Sequence, residues 1–330
     1  MKAAADIVWG VIGAGRVCEK KSMPAMQIIP HSRVKTVMRR NAAKCRDFAA
    51  RHNVPVWTTR AEEIFRDPEI NAVYVATPPD THALYTGMAA KAGKAVYVEK
   101  PMARNYAECK RMIRDCERAG VPLFVAYYRR ALPHFLRVGE LLKEKRIGIP
   151  CSVHIRYHRP PYPEDIFHPE NNWRIQPGIS GGGHFHDLAS HQLDLMDFLF
   201  GPVVRAHGIA ENRAGLYVPA DTLTGVFRFK NGVAGGGDWC FVSPPSEERD
   251  LICILGTEGI LRFSTFANAC IYGDFQSTGI IKEEMELPLH IQEPLIRSIV
   301  SELRGEGSCP STGESAARTS RVMDLLCSGK

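Results

Sequence analysis

The sequence predicts an α/β chain in two parts: a doubly wound parallel sheet with helices on both faces, then an α+β domain on a mostly antiparallel sheet. Three observations predict it. Short apolar runs alternate with amphipathic stretches up to Ala126. A glycine cluster, GVIGAG at 10–15, closes the first apolar run. Beyond Glu144, strand-like runs succeed one another with few helices between them.

The elements follow in order. Ile7 to Ile12 reads as a strand, followed by a helical pattern broken or re-entered near Pro24 and ended before Pro30. Strands are predicted over 33–38, 72–76, 95–98 and 123–126, with a short extended piece over 54–57. Helices are predicted over 42–52, 61–65, 81–92 and 106–119, several of them stopped by Gly93, Gly120 or Asp67-Pro68. Strands interleaved with helices imply right-handed crossovers and a parallel sheet. After a helix over 133–144, strands are predicted over 152–157, 203–210, 222–229, 251–255, 260–263 and 280–287. One strong helix, 186–200, and a final one, 313–327, interrupt them. The expected boundary gives domains 1–126 and 127–330. Gly235, Gly236 and Gly237 mark a strand bend or a close backbone contact, and the Pro160–Asp165 stretch reads as a rigid loop, a candidate lid.

Composition narrows the function classes. The 330 residues are 45% hydrophobic and 24% charged, with 42 Lys+Arg against 36 Asp+Glu, a net charge of +6. That is a globular composition, neither disordered nor low-complexity. The basic residues are scattered, so no nucleic-acid partner is expected. No apolar run reaches the length of a membrane span, so no membrane partner is expected either. One early lysine, Lys2, and a short apolar run imitate a secretion signal, but the glycines that break the run fit a motif better. Ten cysteines without a C-x-x-C pair argue for reduced, mostly buried thiols and a cytoplasmic protein.

The glycine cluster carries the first chemical signal. Glycines after a strand allow a tight turn and close approach of backbone to a pyrophosphate, and the helix that follows offers free N–H groups. Gly13, Ala14, Gly15, Arg16 and Val17 are therefore candidate cofactor contacts, although the usual third small residue is here Cys18. An NAD site usually places an acid at the end of the second strand to bind the ribose hydroxyls. Here that strand runs into Arg39 and Arg40. Guanidinium groups suit a 2′-phosphate, so NADP(H) is favoured over NAD(H).

The chain resembles the glucose–fructose oxidoreductase / inositol dehydrogenase (Gfo/Idh/MocA) family. The resemblance rests on GVIGAG at 10–15, ATPPDTHA at 76–83, VEKP at 98–101, WR at 173–174, GGGHFHDLASHQLDLMDFLFG at 181–201 and ILGTEGIL at 254–261. It implies a Rossmann dinucleotide-binding domain followed by a substrate and oligomerisation domain with an open-faced sheet. It also implies an NAD(P)-dependent oxidoreductase that moves a hydride between nicotinamide and a secondary hydroxyl or ketone carbon. The pocket's polar and aromatic content suggests a sugar, cyclitol, keto-sugar or related polyol. A homodimer or homotetramer is expected, because a second copy would cover the open sheet.

Within that resemblance Lys100 is the catalytic lysine, following a parallel strand at its C-terminal end, where open α/β sheets bind ligands. Its ammonium can hydrogen-bond a substrate oxygen and stabilise developing negative charge. Glu99 and Lys100 line the nicotinamide pocket. Asp187 and His191, four apart on a predicted helix and hence on one face, complete the catalytic set. A neutral imidazole can take the hydroxyl proton as hydride leaves the same carbon. Thr77, Pro78, Pro79 and His82 resemble the family's adenine and ribose contacts, and Trp173 and Arg174 its Trp-Arg segment near the pocket. Tyr128 stands where many relatives have asparagine, and it joins His158 and His186 as a candidate substrate contact.

Rival readings remain at this level. His184, His186, Asp187 and His191 have residue types that suit zinc, although the family needs no metal. An NAD-dependent glycosidase is disfavoured by the intact Glu-Lys-Pro, and a non-catalytic cofactor-binding protein by the presence of lysine, aspartate and histidine. A dihydrodiol- or biliverdin-type reductase is opposed by the His-rich second half and favoured by Tyr128 and Trp173.

Overall fold

A computed structural model describes residues 6–329; Lys2 lies outside them. The chain forms two compact units. One comprises the residues up to Ala103, Ala107–Ala131 and Pro288–Ala317; the other comprises Arg104–Tyr106, Leu132–Leu287 and the residues from Arg318 onward.

The first unit holds strands β1 (Ile7–Ile12), β2 (Ser32–Met38), β3 (Val56–Thr58), β4 (Ala72–Val75), β5 (Ala95–Val98) and β6 (Leu123–Val125). Between them run helices α1 (Met23–Ile28), α2 (Ala42–Arg51), α3 (Ala61–Arg66), α4 (His82–Lys91) and α5 (Tyr106–Ala119). All strand pairs are parallel, in the order β3-β2-β1-β4-β5-β6. The order reverses between β1 and β4, which opens a crevice at the carboxyl ends of the strands. β1, β4 and β5 are buried along their whole lengths, as expected of strands covered on both faces. The sequence AVYV occurs in both β4 and β5. Their register aligns Tyr74 with Tyr97, and the two rings stack with centroids 4.8 Å apart.

The second unit holds helix α6 (Pro133–Lys143), strand β7 (Pro150–His158), the short helices α7 (Pro163–Phe167) and α8 (Pro177–Ser180), helix α9 (Ser190–Phe200) and strands β8 (Val203–Glu211), β9 (Thr222–Phe229), β10 (Ala234–Cys240), β11 (Arg249–Gly256), β12 (Gly259–Phe263), β13 (Cys270–Phe275) and β14 (Gly279–Glu284). Its eight strands run β14-β13-β12-β11-β7-β10-β9-β8, antiparallel except for the β7–β10 pair. One face is buried: Trp239 donates to Gln192 of α9 at 2.7 Å, and Phe200 of α9 lies against Phe229. The other face is open, with Ile209, Val226, Leu255 and Tyr272 exposed on it.

Two strands, the short helices α7 and α8, and one longer helix lie where the sequence predicted none. β10 (Ala234–Cys240) occupies the glycine stretch, and β13 (Cys270–Phe275) carries Gly273 and Asp274 in its second half, residue types that disfavour a strand. Helix α10 (Glu293–Leu303) buries Leu295, Ile296, Ile299 and Val300 in the first unit. The expected assignment of all of 127–330 to one domain differs from these contacts. Pro288–Ala317 returns to the first unit, where Ser311 Oγ donates to the Val125 carbonyl at 2.7 Å and Thr312 bridges Phe124. β6 is an edge strand, and the returning segment caps its exposed backbone. The final helix, α11 (Gly313–Ser328), then passes into the second unit.

The glycines of β10 make room for rings. A Cβ on Gly235 would lie 2.1 Å from the Phe227 ring, and one on Gly237 would lie 2.4 Å from the Trp239 ring. Gly236 points to the open face, where a Cβ would meet nothing closer than 3.4 Å. Gly235→Ala is expected to cost about 1–3 kcal/mol through overpacking. Gly236→Ala should stay within ~0.5 kcal/mol of wild type. Urea midpoints at unchanged slope measure both; equal midpoints for the two variants would refute the packing role.

Candidate active site

The first unit gathers its candidate residues along one edge. After β1 the chain turns at Gly13, whose φ of +90° suits glycine, and a Cβ there would lie 2.8 Å from the backbone of Ala76 and Thr77 at the end of β4. The Gly13 and Ala14 N–H groups both donate to the Met38 carbonyl, at 3.0 and 3.2 Å, which ties the turn to the end of β2 just before Arg39. A Cβ on Gly15 would meet only the Gly13 carbonyl, at 3.6 Å, so the outer side of the turn is open to an approaching group. A π-turn, Cys18–Ser22, leads into α1. Cys18, in the third motif position, is fully buried with its Sγ 3.7 Å from the Gly13 carbonyl, and burial pushes its thiol up to about 12. It fills space as a protonated thiol. An open glycine cradle at the switch point of a parallel sheet fits a dinucleotide pyrophosphate.

Arg39 is half-buried and Arg40 exposed, and among the described residues neither enters an ion pair. Thr77 and Pro78 are half-buried beside the turn, and Pro79 is buried. His82 departs from its expected role as a cofactor contact. It is fully buried, its Nε2 is 2.7 Å from the Thr77 carbonyl, and its Nδ1 is 3.2 Å from the carbonyls of Pro101 and Met102. It braces the loop after β4 against the loop after β5.

Lys100 follows β5 and is half-buried. The carboxylate before it is held from several sides. Glu99 Oε1 accepts from Tyr74 Oη at 2.6 Å and from Gln292 Nε2 at 2.8 Å, and Oε2 accepts from the Lys100 N–H at 3.2 Å. Tyr128, after β6, is buried; Lys21 Nζ lies 3.5 Å from its hydroxyl and the Arg129 guanidinium sits over its ring at 5.0 Å. Burial alone would raise this phenol, but Arg129, Lys21 and Lys100 together pull it below its ordinary value.

The second unit gathers the rest. The helix expected over 186–200 opens with a π-turn, Phe185–Ala189, so Asp187 lies in the wide turn and His191 in the regular helix that follows. Such turns recur at functional sites. Asp187 accepts from Arg174 Nε at 3.0 Å, and the Arg174 guanidinium lies over the Trp173 ring at 4.6 Å. Trp173, Arg174 and Asp187 are thus brought together. His191 is buried against the Phe266 ring. His158 does not join this group. The pleat of β7 turns Tyr157 to the buried face and His158 to the open face, where it pairs with Asp238.

His184, read as a possible metal ligand, instead pairs with Asp165 at 2.7 Å, both fully buried, and Asp165 also accepts from Asn172 at 2.7 Å. This pair anchors the end of the Pro160–Asp165 stretch, expected to be a loop, whose residues from Pro163 onward open helix α7. Among the described residues, no group of three or more His, Cys, Asp or Glu is placed to hold a metal ion. Sequence reasoning missed Gln292, Asp165 and Lys21. Gln292 is 193 residues from its partner Glu99, and no local pattern signals such a bond.

His186 is buried, and burial pushes its imidazole down to about 4. An unfolded histidine titrates near about 6.5, so between these values the unfolded chain takes a proton that the folded chain refuses. The stabilisation is complete above about pH 6.5 and is lost as pH falls towards about 4. His186→Gln is expected to flatten that part of the stability–pH curve in urea titrations. An acid limb as steep as wild type would show that His186 does not contribute to it.

Known proteins agree with this architecture. Residues 7–127 match the model of the oxidoreductase family with an NAD-binding Rossmann fold, and residues 135–262 match the Gfo/Idh/MocA C-terminal domain. An oxidoreductase from Formosa agariphila is 40% identical over 97% of this chain and 98% of its own length. The 1,5-anhydro-D-fructose reductase of Ensifer adhaerens is 26% identical over 93% of this chain and 91% of its own. A solved levoglucosan dehydrogenase, in complex with NADH and levoglucosan, superposes with a TM-score of 0.87 at 22% identity over 97% of this chain and 96% of its own. The chain belongs to the Gfo/Idh/MocA family of NAD(P)-dependent oxidoreductases.

Proposed function

We propose that the protein transfers a hydride between nicotinamide and a secondary carbinol or ketone carbon of a sugar, cyclitol or related polyol. The observation that carries this reading is the common edge of the parallel sheet, from which the open glycine turn after β1 and Lys100 after β5 both emerge. The names of two similar proteins, an anhydrofructose reductase and a levoglucosan dehydrogenase, support the substrate class.

Residues Gly13 to Val17 would hold the pyrophosphate through backbone N–H groups and the helix that follows. Thr77, Pro78 and Pro79 would flank it. The hydrogen bonds from the glycine turn to the Met38 carbonyl support a role for Arg39 and Arg40 at the adenosine ribose, where two guanidinium groups favour NADPH over NADH. Bound nicotinamide supplies the hydride acceptor or donor. Lys100 donates a hydrogen bond to the substrate oxygen and stabilises the negative charge that develops there. His191 takes the hydroxyl proton in oxidation and returns it in reduction. Asp187, steadied by Arg174 over Trp173, orients a substrate hydroxyl. His186, held neutral by burial, and Tyr128 complete the polar contacts. A second copy of the chain covering the open sheet face, where Ile209, Val226 and Tyr272 are exposed, would give a homodimer or homotetramer.

Levoglucosan, myo-inositol and 1,5-anhydro-D-fructose, each with NADPH/NADP⁺ and NADH/NAD⁺, form the first screen. On whichever is turned over, Lys100→Met is expected to lower kcat by about 10²–10³-fold with cofactor binding retained; full turnover would refute the catalytic role. Arg39→Ala with Arg40→Ala is expected to lower the NADPH/NADH affinity ratio by about tenfold or more, read by thermal shift. An unchanged ratio would overturn the 2′-phosphate assignment.

A further inference from the structure

The Glu99 carboxylate is 7% exposed and stands directly before Lys100. A buried carboxylate is tolerated only when its oxygens are hydrogen-bonded, so the donors around it determine where it sits. Two side chains supply donors to Oε1, Tyr74 and Gln292. Gln292 is itself fully buried, just before α10 in the segment that returns to the first unit. Its amide has one orientation that satisfies its neighbours. Tyr97 Oη donates to Gln292 Oε1 at 2.8 Å, which turns Nε2 towards Glu99. Tyr97 is in turn stacked on Tyr74, so the chain Tyr97–Gln292–Glu99–Tyr74 closes on itself inside the first unit. Glu99 Oε2 accepts the Lys100 N–H, the backbone from which the lysine side chain projects.

We propose that Gln292 is a positioning residue for Lys100, acting through the Glu99 carboxylate that it fixes in place. The inference rests on the reading of Lys100 as the catalytic lysine. Gln292 is fully buried, and its amide is bonded to Glu99 and Tyr97. It removes a rotational freedom from Glu99, and through the Lys100 N–H it restrains the turn that aims the ammonium. Loss of either Gln292 bond leaves a buried acceptor short of a donor and releases that turn.

The test reads Lys100 directly. Trace acetylation with acetic anhydride, quantified by peptide mass spectrometry, gives the reactivity of Lys100 relative to Lys91, which is exposed at the end of α4 in the same unit. Gln292→Met keeps the side-chain volume and removes both hydrogen bonds. It is expected to raise the Lys100/Lys91 ratio by about three-fold or more, because a freed loop opens more often. Tyr97→Phe removes only the bond that orients the amide and is expected to raise the ratio less, in the same direction. NADPH thermal shift checks that the variants remain folded and able to bind cofactor. A general loosening of the fold would move both lysines together and leave their ratio unchanged. A ratio equal to wild type in both variants overturns the proposal; if Gln292→Met does not fold, Tyr97→Phe alone decides. Failure of this inference and failure of the catalytic reading stay distinguishable, since full turnover in Lys100→Met would refute only the latter.

Discussion

Burial of the Glu99 carboxylate is the constraint around which the first unit is organised. A charge or polar acid in the interior costs several kcal/mol unless every oxygen finds a donor. Tyr74 meets part of that demand by donating to the carboxylate directly, and Tyr97, from the adjacent strand, donates to the Gln292 amide that serves it; their identical AVYV context puts both rings on the same face in register. Gln292 completes it from the far end of the chain, which gives a physical reason for the C-terminal segment to return. Cys18 packs close to the same acid, and proximity to Glu99 adds to the burial that keeps its thiol protonated. The glycine turn and the lysine loop thus share one buried neighbour.

The second unit answers a different constraint: how to bury aromatic side chains beneath a single-faced sheet. Glycines in β10 let Phe227 and Trp239 lie flat over the strand, and Trp239 anchors α9 through Gln192. A second tie comes from α11, where Arg318 donates twice to Asp197 of α9, at 2.8 and 2.7 Å. The helix carrying His191 is therefore fixed at several points along its length. The wide turn before it, Phe185–Ala189, places Asp187 where Arg174 reaches it. Among the described residues each unit has one π-turn, and each adjoins candidate functional residues: Cys18–Ser22 after the glycines, Phe185–Ala189 around His186 and Asp187. A local widening re-aims side chains without ending the helix.

Legibility in the sequence followed the range of the interactions. The six strands of the parallel sheet were readable because β1, β4 and β5 are uniformly apolar and bounded by glycine or proline. β10 was not readable, because three consecutive glycines erase the alternation that marks a strand, and their reason lies in rings from other positions. α10 was obscured by Pro294 at its first turn and by polar residues around its apolar face. His82 was read through the resemblance of its segment, and His184 through its residue type. Their partners, the carbonyls of Pro101 and Met102 and the carboxylate of Asp165, are set by chain reversals that no spacing rule describes.

By itself the sequence determined the parallel-sheet domain, the glycine turn with arginines at the next strand tip, the Glu-Lys-Pro segment and the helix with Asp187 and His191. These depend on residue type and on neighbours within a few positions, where propensity, turn chemistry and periodicity act. Only the tertiary structure decided that Gln292 reaches Glu99, that Arg174 holds Asp187, that His158 faces the open side of the sheet, and that Pro288–Ala317 rejoins the first unit. Each of those depends on satisfying a buried polar group or an exposed strand edge with whatever the folded chain brings near, and that proximity is a property of the packed chain rather than of any stretch of it.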